Sequence, residues 1–242
     1  MFRFLSSGRG LPGLTGIIIT SIIILLSLSP QGMGQWIQRL DYLFYDWRFA
    51  AGLAMAPEAP GEQPIIIVDV DEKSLAAEGR WPWSRLKLAE LTDRLAAAGV
   101  VVTAFDVVLS EAERNPVDEL HRRLGSEAGK VIDPRWRQRV DADRRLAQSL
   151  PAMDVVLGYF FLDEAGISVG QLPPPVYRLS AEERHRLVVT TRAGYAAALP
   201  QLQQAAADAG FVTTLNDADG AVRRAPLLIR YGHDLYPSLA LA

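Results

Sequence analysis

Hydrophobic and polar positions follow three different rhythms along this chain. Near the N-terminus the apolar run is unbroken: "LTGIIITSIIILLSLSP" carries no charge. About 20 helical residues span a bilayer core, so residues 11–30 are predicted to form a transmembrane helix. Next comes a helical rhythm, with Trp36, Leu40, Leu43, Phe44 and Trp47 on one stripe of a connecting helix over residues 31–54. "MAPEAPGEQP" reads as a loop with three prolines. Residues 65–70, "IIIVDV", are dense in β-branched apolar side chains, which predicts a strand buried on both faces. Ser84 is placed to cap a helix running to about Ala98, with Leu88, Leu91, Leu95 and Ala98 on its apolar stripe and Gly99 just past its end. Residues 100–110 predict a second buried strand. Strand, helix and strand of these lengths form a βαβ unit with a right-handed crossover.

The second half is less regular. Residues 111–140 show no apolar period and are crowded with charge, including "HRRLGSEAGK" and "DPRWRQRV", so they read as a surface excursion. Residues 141–150 predict a short helix stopped by Pro151, and 153–163 a third strand. Residues 171–209 are mixed, with a "PPP" run and two weakly helical stretches. Residues 211–215 and 222–231 predict a β-hairpin around "NDADG". Pro237 is placed to open a further helix. The expected fold is therefore α/β: a mainly parallel sheet with helices on both faces in three layers, an antiparallel hairpin near the C-terminus, and one preceding transmembrane helix. The final "SLALA" suggests a fragment of a longer protein.

Composition alters this picture little, and charge gives it direction. Apolar residues make up 49% and charged residues 22%, as in ordinary globular domains. A net charge of −3 argues against nucleic-acid binding by phosphate neutralisation. There is no cysteine, hence no disulfide framework, thiolate metal site or cysteine nucleophile. Arg3 and Arg9 precede the apolar run, and no acid occurs before Asp41. The positive-inside rule then leaves residues 1–10 in the cytoplasm and everything after Pro30 outside. A cleaved signal peptide is the competing reading, but its apolar stretch would be unusually long, with no clear small-residue cleavage site. The aromatic stripe after the membrane fits an interfacial belt, core packing or a homodimer seam.

Two clusters could carry chemistry. In "EGRWPWSR", Arg80 and Arg85 flank Trp81 and Trp83 at a helix start. One reading is a ligand-facing rim with stacking and cationic donors. The other, favoured here, is a rigid corner in which Pro82 sets the backbone into the helix. Asp69, Asp71 and Asp106 are expected at the C-terminal ends of two strands, where α/β sheets bind ligands. Together they could hold Mg²⁺ or Ca²⁺. They could instead form a structural charge network with Arg80, Arg85, Arg223 or Arg224, and a contact from Arg223 or Arg224 to these acids is expected ahead of metal binding. "IIIVDVDEKS" also resembles the first motif of haloacid-dehalogenase-type phosphatases, which makes a metal-dependent phosphatase using Asp69 and Asp71 the runner-up. Lys73 departs from that pattern, and no later Lys and acidic pair follows in order. His121, His185 and His233 lack metal-ligand spacing, and "NDADGAVRR" lacks the bidentate Glu of a calcium loop.

Four stretches occur in one order: "LDYLFYDWRF", "PIIIVDVDEKSLAAEGRWPWSR", "AGVVVTAFDVVLSE" and "NDADGAVRRAPLLIRY…YPSLALA". They resemble the second type of CHASE domain, an extracellular sensory domain of bacterial receptors, over residues 38–242. The resemblance implies a sensor over residues 55–242 that is not itself an enzyme. It also implies further transmembrane helices beyond the chain and a cytoplasmic output module: a nucleotide cyclase, a diguanylate cyclase or a kinase. The segment 111–140 looks like an insertion relative to the family. The ligand is left open, and a ligand-free dimerisation module is the third reading.

Overall fold

A computed structural model of the chain describes residues 10–27, 33–56, 65–125, 133 and 135–242. The chain divides after Asp69 into two compact units. The first holds two helices, α1 (Gly10–Ser27) and α2 (Met33–Met55). On α1, Leu14, Ile17, Ile19, Ile22 and Leu25 are all exposed. Among the described residues no helix is long and apolar enough to cross a membrane, so the span expected over 11–30 is not supported. The 18 residues of α1 rise about 27 Å against a hydrocarbon core of about 30 Å, and residues 28–30 lie outside the described residues. On α2 the expected stripe exists, with Trp36, Leu40, Leu43, Phe44 and Trp47 exposed.

The strand expected over 65–70 does not form. These residues take no regular structure, with Ile65 94% and Ile67 86% exposed. A β-branched run becomes a strand only when a ladder partner satisfies its backbone, and none pairs with it among the described residues.

The second unit begins with a short helix the sequence reading missed, α3 (Glu72–Glu78), and then α4 (Arg85–Ala97). Here the expectation holds: the Ser84 Oγ accepts the Leu86 amide at 3.2 Å, and Gly99 takes φ +84° just beyond the end. β1 (Val102–Val108) follows, then α5 (Pro116–Leu124), α6 (Arg135–Arg139) and α7 (Ala142–Ser149). The charged excursion is thus partly helical. It is pinned where Arg137 makes a two-pronged contact with Asp118 at 2.8 and 3.0 Å.

The remaining elements are β2 (Asp154–Leu162), β3 (Ser168–Val169), β4 (Tyr177–Arg178), α8 (Ala181–Arg186), β5 (Thr191–Arg192), β6 (Gly194–Ala196), α9 (Pro200–Ala205), β7 (Asp208–Phe211), β8 (Leu228–Tyr231) and β9 (Asp234–Pro237). They build two sheets. In the first, β2 is central. Its first half pairs in parallel with β1 and β7, and its C-terminal residues pair antiparallel with β6, which carries β3. The second runs β4-β9-β8-β5, with only β5 and β8 parallel. The fold is mixed α/β with two sheets, and not the single three-layer sheet expected.

The hairpin also moves. β8 and β9 form it around Gly232 (φ +61°), while Leu215 and Arg224 meet in a lone bridge across the "NDADG" turn. Pro237 ends β9 and opens no helix.

Alternation along β2 builds the core. Val155, Leu157, Tyr159 and Phe161 join Leu88 and Ala89 of α4, Leu146 of α7, Leu202 of α9, Phe211, Ile229 and Tyr236. Phe160, on the other face of β2, is 43% exposed. Gly210 of β7 is required by space, since a Cβ there would lie 2.4 Å from the Leu239 Cα.

Candidate functional site

The Trp-Pro-Trp corner is a structural element that leaves one ring partly open. The Trp81–Pro82 bond is cis, and Pro82 lies outside α4, which starts at Arg85. Trp83 donates its indole N–H to the Gly79 carbonyl at 2.8 Å. Trp81 packs edge-on against Trp83 at 5.8 Å between ring centres and stays 40% exposed. Lys87 from the first turn of α4 reaches over the Trp83 ring and pairs with Glu78 at 2.8 Å. Arg80 is exposed to solvent.

The Arg85 side chain is 13% exposed and turned inward among acceptors. Its amide donates to Glu113 Oε2 at 2.5 Å, and its Nη2 to the Glu111 carbonyl at 3.2 Å. Its Nε faces Asp143 Oδ1 at 3.4 Å, and the other oxygen of Asp143 accepts the Glu113 amide at 2.8 Å. Asp143, on α7, is only 4% exposed. Burial pushes its carboxyl above the ordinary range, and the Glu113 amide and the Arg85 charge only partly offset this. The cage therefore ties the start of α4 to α7 and to the loop after β1.

The acidic cluster takes a different form from the one expected. Asp71 caps α3: its Oδ1 accepts the Ser74 amide at 2.8 Å and the Ser74 hydroxyl at 2.6 Å, and these bonds hold its carboxyl below the ordinary value. Asp69 ends the first unit and Asp106 lies on β1, both exposed. Among the described residues no group of three or more His, Cys, Asp or Glu side chains is arranged to hold a metal ion. Arg223 pairs inside its own turn, with Asp217 at 3.1 Å and Asp219 at 2.7 Å, rather than with the strand-end acids. This contact brings the Asp219 carboxyl down to about 2. Arg224 is exposed.

The structure assembles a site that the sequence reading did not name. α6, α7 and the first turn of α4 enclose an open cleft of about 570 Å³. Leu86, Arg135, Gln138, Arg139, Asp141, Arg144, Arg145 and Gln148 line it. Four arginines thus face a single carboxylate, and that carboxylate already accepts the Arg144 amide at 3.0 Å as the cap of α7. Arg135 pairs with Asp133 at 2.7 Å, and Arg145 pairs with Asp93 of α4. Arg139 lies over the exposed Trp136 ring at 5.3 Å. Among the described residues neither Arg139 nor Arg144 closes a salt bridge, although, beside the Arg135 hydrogen bonds, the nearby Arg139 charge helps hold the Asp133 carboxyl below its ordinary value. The arginine density of "DPRWRQRV" was the available signal. Its convergence with α7 depends on how the helices pack.

A family model described as the CHASE2 domain matches residues 17–242. No curated protein and no solved structure matches the chain. A match over nearly the whole chain fixes the assignment. The chain belongs to the CHASE2 family, extracellular sensory domains typical of signalling receptors.

Proposed function

We propose that this chain is the extracytoplasmic input domain of a membrane-attached bacterial receptor that controls a cytoplasmic output enzyme, a nucleotide cyclase, diguanylate cyclase or kinase. It senses and does not catalyse. The observation that carries this reading is the contrast between the two units. The second is a packed α/β body of a sensory family. The first is a pair of helices with exposed apolar side chains. The all-round apolar surface of α1 suits a lipid environment, and the aromatic stripe of α2 suits a homodimer seam. A stimulus shifts such a receptor only by binding its two arrangements with different affinity.

The test is topology. A reporter phosphatase active only outside the cytoplasm is fused after Ala242 of the full chain and expressed in a bacterium. The reading expects an active reporter in membrane-bound protein. An inactive reporter on folded, abundant fusion would overturn it.

A further inference from the structure

We propose that the cleft between α4, α6 and α7 binds a multiply charged phosphate-type oxyanion, held by Arg139 and Arg144. This names a ligand class for the sensory reading but does not depend on that reading, because binding is measured on the isolated chain.

Four observations converge. The cleft is open and polar, and at about 570 Å³ it has room for a small ligand reached directly from solvent. Its lining carries four arginines, of which Arg135 and Arg145 are paired with Asp133 and Asp93, so on a chain whose net charge is −3 a local excess of positive charge rests on Arg139 and Arg144. Two of its arginines, Arg139 on α6 and Arg144 on α7, close no salt bridge among the described residues and sit on different helices, so a bridging anion can take donors from both sides and displace the looser attraction of Arg139 to Asp133. Planar guanidiniums suit phosphate oxygens, which accept paired N–H bonds. The walls are also held from beneath. Leu86 follows the caged Arg85, and Arg144 and Arg145 follow its partner Asp143. The Arg145–Asp93 contact ties α7 to α4 a second time.

Charge alone could also attract the phosphate of an anionic lipid headgroup. The chemistry recognised is the same, and the experiment separates the two sources.

The purified full chain in neutral detergent is titrated with pyrophosphate by calorimetry. Saturable binding is expected, weakened at least tenfold in Arg139→Ala/Arg144→Ala and unchanged in Arg94→Ala, an exposed arginine outside the cleft. Arg139→Lys/Arg144→Lys keeps the charge but loses the planar fork, and recovers only part of the affinity. In a second arm, wild type and the double alanine variant are floated with vesicles of phosphatidylcholine, with and without phosphatidylglycerol. A loss of the phosphatidylglycerol-dependent fraction in the variant, with no pyrophosphate binding, assigns the cleft to a headgroup. Pyrophosphate binding with equal flotation assigns it to a free anion. If wild type and variant behave alike in both arms, the proposal is wrong.

Discussion

Two sets of arginines in the second unit behave in opposite ways. Arg85 and Arg223 turn their side chains inward beside carboxylates: Arg85 beside Asp143, with Glu113 on its backbone amide, and Arg223 with Asp217 and Asp219. Arg139 and Arg144 project from helix surfaces into an open cleft and close no salt bridge among the described residues. An arginine whose charge is matched by acids inside the protein holds elements together. One whose donors point into an open concave surface is available to a ligand. The sequence shows all four as charged letters near other charged letters, and only the tertiary arrangement sorts them.

The largest effect should come from breaking the buried cage. Arg85→Ala leaves the Asp143 carboxylate buried and unpaired, and should cost about 3 kcal/mol in urea unfolding. Removing both charges together, as Arg85→Met/Asp143→Leu, should recover most of that loss. Arg223→Ala should cost less. It should show chiefly as faster amide exchange over residues 216–224, because one of its partners, Asp219, is itself open to water. Ser84→Ala removes the cap that seats Arg85 and should cost about 1 kcal/mol. Arg144→Ala, on an exposed helix surface, should change stability by no more than about 0.5 kcal/mol.

Acid titration separates the carboxylates of the two cages. The Asp143 carboxyl sits above its ordinary value of 3.8 in the folded protein. Within that window the folded state holds a proton that the unfolded chain has released, so its contribution falls as pH rises through it. Asp219 behaves in reverse. Its contribution is complete above 3.8 and is lost as pH falls towards about 2. Unfolding followed from pH 2 to 7 should lose the first effect in Asp143→Asn and the second in Asp219→Asn. Unchanged profiles in both variants would contradict the two assignments.

What the sequence revealed follows the range of the interactions. α4 and α7 were readable because their signals are local: Ser84 and Asp141 cap helices whose apolar spacing is regular. β2 was readable because its nine residues are dense in apolar side chains. The run at 65–70 has the same local character, yet lacks a pairing partner and stays exposed. The second sheet was missed because β4 and β5 are two residues long and owe their existence to β8 and β9. The family likeness was legible in short motifs such as "GRWPWSR", although Arg85 turned out to be a brace. Asp71 was legible as an acid at a turn, but its role as a cap required the Ser74 contact three residues on. The cleft was not legible, since it needs α6, α7 and the first turn of α4 to meet around one concave surface.

The most direct test of this division is thermal unfolding of the full chain with and without pyrophosphate, for wild type, Arg223→Ala and Arg144→Ala. The division predicts that Arg223→Ala lowers the midpoint and keeps the rise produced by pyrophosphate. Arg144→Ala should keep the midpoint and lose most of that rise. An unchanged rise in Arg144→Ala, or a loss of the rise only in Arg223→Ala, would contradict it.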